Sequence, residues 1–299
     1  MKYSNVISAF FNHPWAILPE KLAAISEILT LRASGGMLSD EEIAARTGGN
    51  KPGRKKSIKG SVAILPIYGV ISQRMGMMED ISGGTSTELI GEEFDAMMGD
   101  AGVGAVVLDV SSPGGSVYGV AELGDKIHAA RGDKPIIAVV NSLAASAAYW
   151  LAAQADEIVI TPSGQAGSIG VFVEHLDVSK FEENEGFKTT LISSGKYKVE
   201  GNLYEPLSDE ARAAMQKVTD DYYSMFVDAV ARGRNATKSA VRNGYGEGRV
   251  VGASESVAQN LADRVGTLEE VVGELQARQA KGKTGANTTL AQLAISAAE

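Results

Sequence analysis

The chain has 299 residues, 44% hydrophobic and 22% charged, a globular composition that excludes wholesale disorder and suffices for one sizeable core with an appendage. A net charge of −9 and a pI near 5.0 speak against a surface built to grip a phosphate backbone, so no nucleic-acid partner is expected. With no cysteine there are neither disulfides nor thiolate metal sites, and three scattered histidines give no basis for a metal or other cofactor.

In chain order, residues 1–45 are expected to form a helical arm, because Leu18, Leu22, Ile25, Ile28 and Leu29 recur at helical spacing. Packing on its own domain and docking elsewhere are equally open for it. Asn12, His13 and Pro14 break the short apolar run Val6 to Phe11, so no secretory signal is read. Residues 46–60 are basic and glycine-rich and predict a solvated linker. The main folded domain is expected over residues 61–280, starting at about Ser61, with a flexible tail over 281–299.

Within that domain the spacing predicts a strand from Val62 to Ile71, a helix from Glu88 to Met98 and a buried strand from Ala105 to Val110. A helix from Val117 to Ala130, a strand from Ile136 to Val140 and a helix from Ala145 to Ala155 follow. Strands are expected at Glu157–Thr161, Ser168–Val173 and Lys188–Ser193, with a helix at Val178–Glu185 between the last two. A long helix runs from Ser208, its N-cap, to about Arg232, and shorter helices lie near Ser254–Leu261 and Leu268–Gln279. This alternation gives an α/β fold with a mostly parallel sheet. The most apolar stretch, Ala138 to Ala155, contains Asn141, Ser142, Ser146 and Gln154, and reads as a buried strand and helix, not a membrane span. A cytoplasmic, membrane-free protein is therefore expected.

Two segments carry chemistry. Ser111-Ser-Pro-Gly-Gly115 follows a buried strand and leads toward a helix, where glycine backbone N–H groups can approach a ligand closely. A plain β-to-α turn is the other reading of the same residues. Ser146, after the next buried strand and at the head of an alanine-rich helix, is placed as a nucleophile. The N–H groups of Ala147 and of Gly114 or Gly115 are then candidates to cradle an oxyanion. A small residue tolerated in helix packing is the commoner fate of such a serine. A serine hydroxyl needs a base, and with so few histidines the pair Lys196 and Lys198 becomes a candidate.

The ordered set Asp109-Val-Ser-Ser-Pro-Gly-Gly115, Ala144-Ala-Ser-Ala-Ala-Tyr149, Ala155-Asp-Glu-Ile-Val-Ile160, Gly167-Ser-Ile-Gly-Val171, Ser194-Gly-Lys-Tyr-Lys198 and Gly248-Arg-Val-Val-Gly252 resembles the signal peptide peptidase A family of serine peptidases. Gln73 to Thr87, His175 to Lys180 and Lys198 to Leu207 are most similar to the branch of phage capsid (prohead) maturation proteases. The resemblance implies a Clp protease/crotonase-like fold of repeated β-β-α units, here with the N-terminal arm and C-terminal helices added. It implies a Ser/Lys dyad in which Ser146 is the nucleophile, Lys198 the general base and Ser168 the hydroxyl that orients the lysine. Gly114, Gly115 and Ala147 would form the oxyanion hole. Ala147-Ala148 stands where many members have Gly-Gly; alanine keeps its N–H and narrows the site slightly.

A lysine acting as base near neutrality must be desolvated, so Lys198 is expected to be buried, whereas Lys196 reads as a surface charge. His175 with Asp177 is the rival base, although Asp177 also suits a helix cap; His128 reads as structural. The phage branch implies polypeptide substrates, namely scaffold or capsid proteins and the protease itself, and a homo-oligomer that sometimes completes its site between subunits. It implies action inside an assembling prohead in the host cytoplasm, with 281–299 as the start of a scaffold-like extension. A bacterial peptidase that degrades signal-peptide remnants and a non-catalytic capsid assembly protein that retains the fold are the alternatives, with an acyl-CoA enzyme behind them.

Overall fold

The computed structural model describes residues 10–33, 56–74 and 84–280, together with positions 36, 39 and 42. In chain order the elements are β1 (Trp15–Ile17), α1 (Pro19–Ala33), β2 (Ser57–Lys59), β3 (Val62–Tyr68), β4 (Ile71–Ser72), β5 (Thr85–Ser86) and α2 (Thr87–Gly99). Next come β6 (Ala105–Ser112), β7 (Gly114–Ser116), α3 (Val120–Ala129), β8 (Ile136–Ala145), α4 (Ala147–Ala152), β9 (Glu157–Ile160) and β10 (Gln165–Gly167). The chain continues through α5 (Ser179–Asn184), α6 (Asp209–Gly233), α7 (Lys238–Arg242), β11 (Val250–Gly252), α8 (Ala253–Ala258), β12 (Arg264–Val265) and a helix, α9, over 268–280.

The strands β3, β6 and β8 are apolar on both faces because both faces are covered. Ala63, Leu65, Val106, Leu108, Ala138 and Val140 pack against Phe94 of α2, Leu123 of α3, Trp150 of α4 and Phe226 of α6. The alternate residues Val62, Ile64, Val107, Val139 and Val159 pack on Leu268, Val271, Val272 and Leu275 of α9. Each of the larger of these side chains, the valines, leucines, isoleucines and phenylalanines, contributes about 1.5–3 kcal/mol on burial, so this alternation decides the register of the sheet. Its order is β11-β10-β8-β6-β3-β2, with β9 also on β8 and β12 on β9. The pairs β3/β6, β6/β8, β8/β9 and β8/β10 are parallel; β2 and β11 are antiparallel additions. The expected α/β class is the observed one.

Strand β8 positions the site. Its first half pairs with β9 through Ile137 to Val140, and its end pairs with β10 through Leu143 to Ala145. Between them the register with β6 jumps from Val110↔Val140 to Ser111↔Leu143, leaving Asn141 and Ser142 as an irregularity. A second sheet, β1-β7-β4-β5, is built against the carboxyl ends of the central strands. Helix α6 starts as expected, Ser208 Oγ accepting the Ala211 N–H at 3.1 Å, and is docked by the stack of Phe226 on Trp150 at 4.7 Å between ring centroids.

Several expected boundaries change. The strand beginning at Val62 stops at Tyr68, because Gly69 takes φ +69° and turns the chain into β4. Residues 57–59, assigned above to the linker, form β2 on the edge of the sheet; 46–55 and the tail 281–299 lie outside the described residues. Of the two readings left open for the arm, α1 packs on its own chain: Leu22, Ile25, Ile28 and Leu29 share a cluster with Val70, Val178 and Leu203. The expected strand Ser168–Val173 is instead β10 at Gln165–Gly167, cut off where Ser168 adopts φ +54°. Residues 188–193 are irregular, not a strand: they pair with no strand among the described residues, and Leu191 and Ile192 are exposed. Among the described residues no helix is long and apolar enough to cross a membrane.

Candidate active site

Ser146 stands between the end of β8 and the first residue of α4. Its backbone has φ 56° and ψ −120°, a conformation that costs an L-residue on the order of 1–3 kcal/mol. That turn shortens the helix expected from Ala145 to begin at Ala147, and it is held by neighbours. The Ser146 N–H donates to Gly167 O at 2.8 Å, and its carbonyl accepts from Trp150 N–H at 3.0 Å. The hydroxyl donates to Gly170 O at 3.3 Å, and the residue is only 1% exposed. Ala147 supplies the first N–H of the helix, one of the groups that lacks an intrahelical partner.

The glycine turn lies against this elbow. Gly114 has φ +95°, and a Cβ there would lie 3.0 Å from Ser146 Cβ, 2.9 Å from Ala145 O and 2.2 Å from Ala16 O. A Cβ on Gly115 would fall 1.8 Å from Ile71 O, so only glycine fits at either position. The Gly114 N–H donates to Ser112 Oγ at 3.1 Å, and that hydroxyl donates to Gly69 O at 2.6 Å. Ser168 follows Gly167, is 7% exposed, and is fixed by its N–H on Arg249 O at 2.8 Å. Ser146, Ser168, Gly114, Gly115 and Ala147 are thus gathered at the carboxyl ends of β6, β8 and β10.

Lys198 is not gathered with them. It lies exposed in the irregular segment after Lys188, its N–H on Gly195 O at 3.2 Å, and no side-chain hydrogen bond or ion pair joins it to Ser146 among the described residues. The expected desolvation is therefore not met within one chain, because the Lys198 side chain lies on the exposed face of this segment. Lys196 is the surface charge it reads as, bonded to Tyr197 Oη at 2.7 Å and Glu210 Oε1 at 2.9 Å, which raise its pKa. Of the rival pair, His175 Nε2 sits 3.1 Å from Asn202 O. Asp177 accepts the Ser179 N–H at 2.9 Å at the start of α5, and hydrogen bonding from Ser179 lowers its pKa.

One residue near the site is unexpected. His13 Nε2 is 2.7 Å from Ser116 Oγ, and its ring packs on Trp15 and Tyr118 at 4.7 and 4.6 Å. Burial pulls its pKa down to about 4. Only three residues long and preceded by a proline, β1 carries no periodic signal that would reveal this pairing from sequence.

Comparison with known proteins gives the family of the chain. The model of peptidase family S49 matches residues 128–282, and the chain belongs to that family. It is 31% identical over 278 residues to the head-tail preconnector protein GP5 of Enterobacteria phage P21, covering 88% of this chain and 55% of that protein. It is 30% identical over 250 residues to the capsid assembly protease C of Escherichia phage lambda, covering 84% and 54%. The chain thus spans about half the length of these relatives. Among solved structures, a mutant of ClpP1 from Listeria monocytogenes aligns with a TM-score of 0.41 and 13% identity over 69% of this chain and 92% of that one.

Proposed function

We propose that the protein is a serine endopeptidase that acts through Ser146 and Lys198 on scaffold or capsid proteins during phage head assembly. The observation that carries this reading is the strained elbow at Ser146, packed against Gly114 and followed directly by the N–H of Ala147. Strain of this kind persists where surrounding structure holds a reactive group in place. In the reaction Ser146 Oγ adds to the peptide carbonyl carbon as its proton passes to the lysine amine. The oxyanion rests on N–H groups of the glycine turn and Ala147, the lysine returns the proton to the leaving amine, and water hydrolyses the ester. Ser168, beside Gly167 and Gly170, orients the lysine.

Lys198 performs this step only when covered. Exposed Phe187, Ile192 and Tyr197 share its segment, an apolar surface of the kind a second copy of the chain would bury, which supports a homo-oligomeric working form. The substrate class is supported by the capsid assembly protease and head-tail preconnector relatives. A serine-reactive fluorophosphonate probe tests the proposal: labelling lost in Ser146→Ala and Lys198→Ala but kept in Lys196→Ala and His175→Ala is expected. Labelling lost in His175→Ala and kept in Lys198→Ala would replace the dyad with a histidine mechanism.

A further inference from the structure

Strand β1 is hydrogen-bonded on both edges, on the second through Trp15. On one edge β1 runs antiparallel to β7, with Trp15 opposite Ser116, Ala16 opposite Gly115 and Ile17 opposite Gly114. The ladder continues past both ends, Val117 N–H donating to Pro14 O at 3.4 Å and Leu18 N–H to Pro113 O at 2.9 Å. Bonded and non-bonded pairs alternate in an antiparallel ladder, so bonds at 14 and 18 make 16 the bonded position between them. This aims the Gly115 N–H at the Ala16 carbonyl. On the other edge Trp15 donates to Phe172 O at 2.9 Å and accepts from Phe172 N–H at 3.0 Å.

The Ala16 carbonyl also lies against the reactive residues. A single point, the place of an absent Cβ on Gly114, is 2.2 Å from Ala16 O and 3.0 Å from Ser146 Cβ. An extended peptide with its carbonyl toward the glycine turn, its neighbours paired on two sides and a serine beside it has the arrangement that peptide hydrolysis at Ser146 requires. We infer that the channel between β7 and Phe172 is the substrate-strand site and that residues 14–18 are its resident occupant. Ala16 then sits where the residue on the acyl side of the cleaved bond belongs. This inference rests on the reading of Ser146 as nucleophile.

Two consequences follow. The site takes an extended polypeptide with a small residue at the central position, since Ala16 is fully buried there. A tethered strand also competes at an effective concentration of about millimolar, so the site stays closed to other peptides until the arm withdraws. No cysteine is present to complicate a locking experiment. In the 299-residue chain carrying Trp15→Cys and Phe172→Cys, oxidation joins the two edges and holds the strand in place.

Fluorophosphonate labelling of the oxidised protein is expected to be slower by about tenfold or more than that of the reduced protein, and to recover on reduction. Failure of the pair to form a disulfide, or equal labelling rates in the two forms, including none in either, overturns the inference. The same pair in a Ser146→Ala background separates the two ideas: labelling that survives there refutes the nucleophile and not the channel.

Discussion

Trp15 and Phe172 exchange both of their main-chain hydrogen bonds, at 2.9 and 3.0 Å, although 156 other residues separate them in the chain. Phe172 belongs to no strand, and Trp15 begins one of three residues, so neither edge would persist without the other. The arm is thereby built into the rim of the site: Trp15 and Ile17 join Phe10, Phe11 and Leu22 in one buried cluster with Val178 and Leu203. Anchoring by α1 on one side and the site on the other makes the strand an ordered part of the fold, and its withdrawal a discrete event.

Peptide specificity should follow the residues that already occupy the channel. Internally quenched peptides containing His-Pro-Trp-Ala-Ile-Leu, the sequence of residues 13–18, are expected to be cleaved after alanine. Replacing that alanine by leucine overfills a fully buried position, a change that costs about 1–3 kcal/mol in packed interiors, hence a loss of about tenfold in kcat/KM. Equal kcat/KM for the alanine and leucine peptides would show that Ala16 does not mark the specificity position.

Acid should loosen the arm. The docked pKa of His13, about 4, lies below its ordinary value of 6.5, so between these values the released arm binds more protons than the docked one. Docking is then at full strength above about pH 6.5 and weakens as pH falls toward about 4. Burial is the cause of the shift; His13 faces the Ser116 hydroxyl and the rings of Trp15 and Tyr118, and no charged side chain among the described residues contributes to it. Hydrogen–deuterium exchange over residues 10–18, corrected for intrinsic rates, should show about thirtyfold less protection at pH 5 than at pH 7.5. The difference should vanish in His13→Phe.

Much of the site is readable from sequence because it is local. A buried strand that runs into alanines places Ser146 at a strand-to-helix junction, and Ser-Pro-Gly-Gly after another buried strand places the glycine turn. What sequence does not show is non-local or set by backbone strain. Ile169, Val171 and Val173 alternate like a strand, but the chain leaves the sheet at Ser168, where φ is +54°, and of the residues that follow Phe172 makes an isolated bridge to Trp15. The arm shows its helix through periodicity, yet its short strand pairs with residues about a hundred positions away, and no local pattern encodes that. Lys198 is legible as a motif residue, but its exposure in the folded chain is not legible from the motif.

The strain at Ser146 can be measured directly. Glycine accepts φ 56° and ψ −120° without the Cβ clash, whereas alanine retains it. Ser146→Gly and Ser146→Ala both remove the hydroxyl and should both abolish labelling by the serine probe. Ser146→Gly is nevertheless expected to be the more stable of the two by about 1 kcal/mol in urea denaturation, an order opposite to that of an unstrained buried site. Should the alanine variant prove the more stable, the elbow stores no strain.

Mixing two inactive variants should restore activity if the lysine comes from a neighbouring subunit. Lys198 is exposed in its own chain, and Phe187 and Ile192 of the same segment are 71% and 96% exposed, apolar surface that a neighbouring copy would bury. Ser146→Ala keeps the lysine and Lys198→Ala keeps the serine. In a symmetric ring with one serine and one lysine from adjacent copies per site, random co-assembly of equal amounts completes about a quarter of the sites. Co-expressed variants purified as one oligomer should therefore recover about a quarter of wild-type peptidase activity, while each alone stays inactive. A mixture as inactive as its components, in an oligomer shown by mass spectrometry to contain both chains, would mean that each dyad closes within a single chain by movement of its own 187–198 segment.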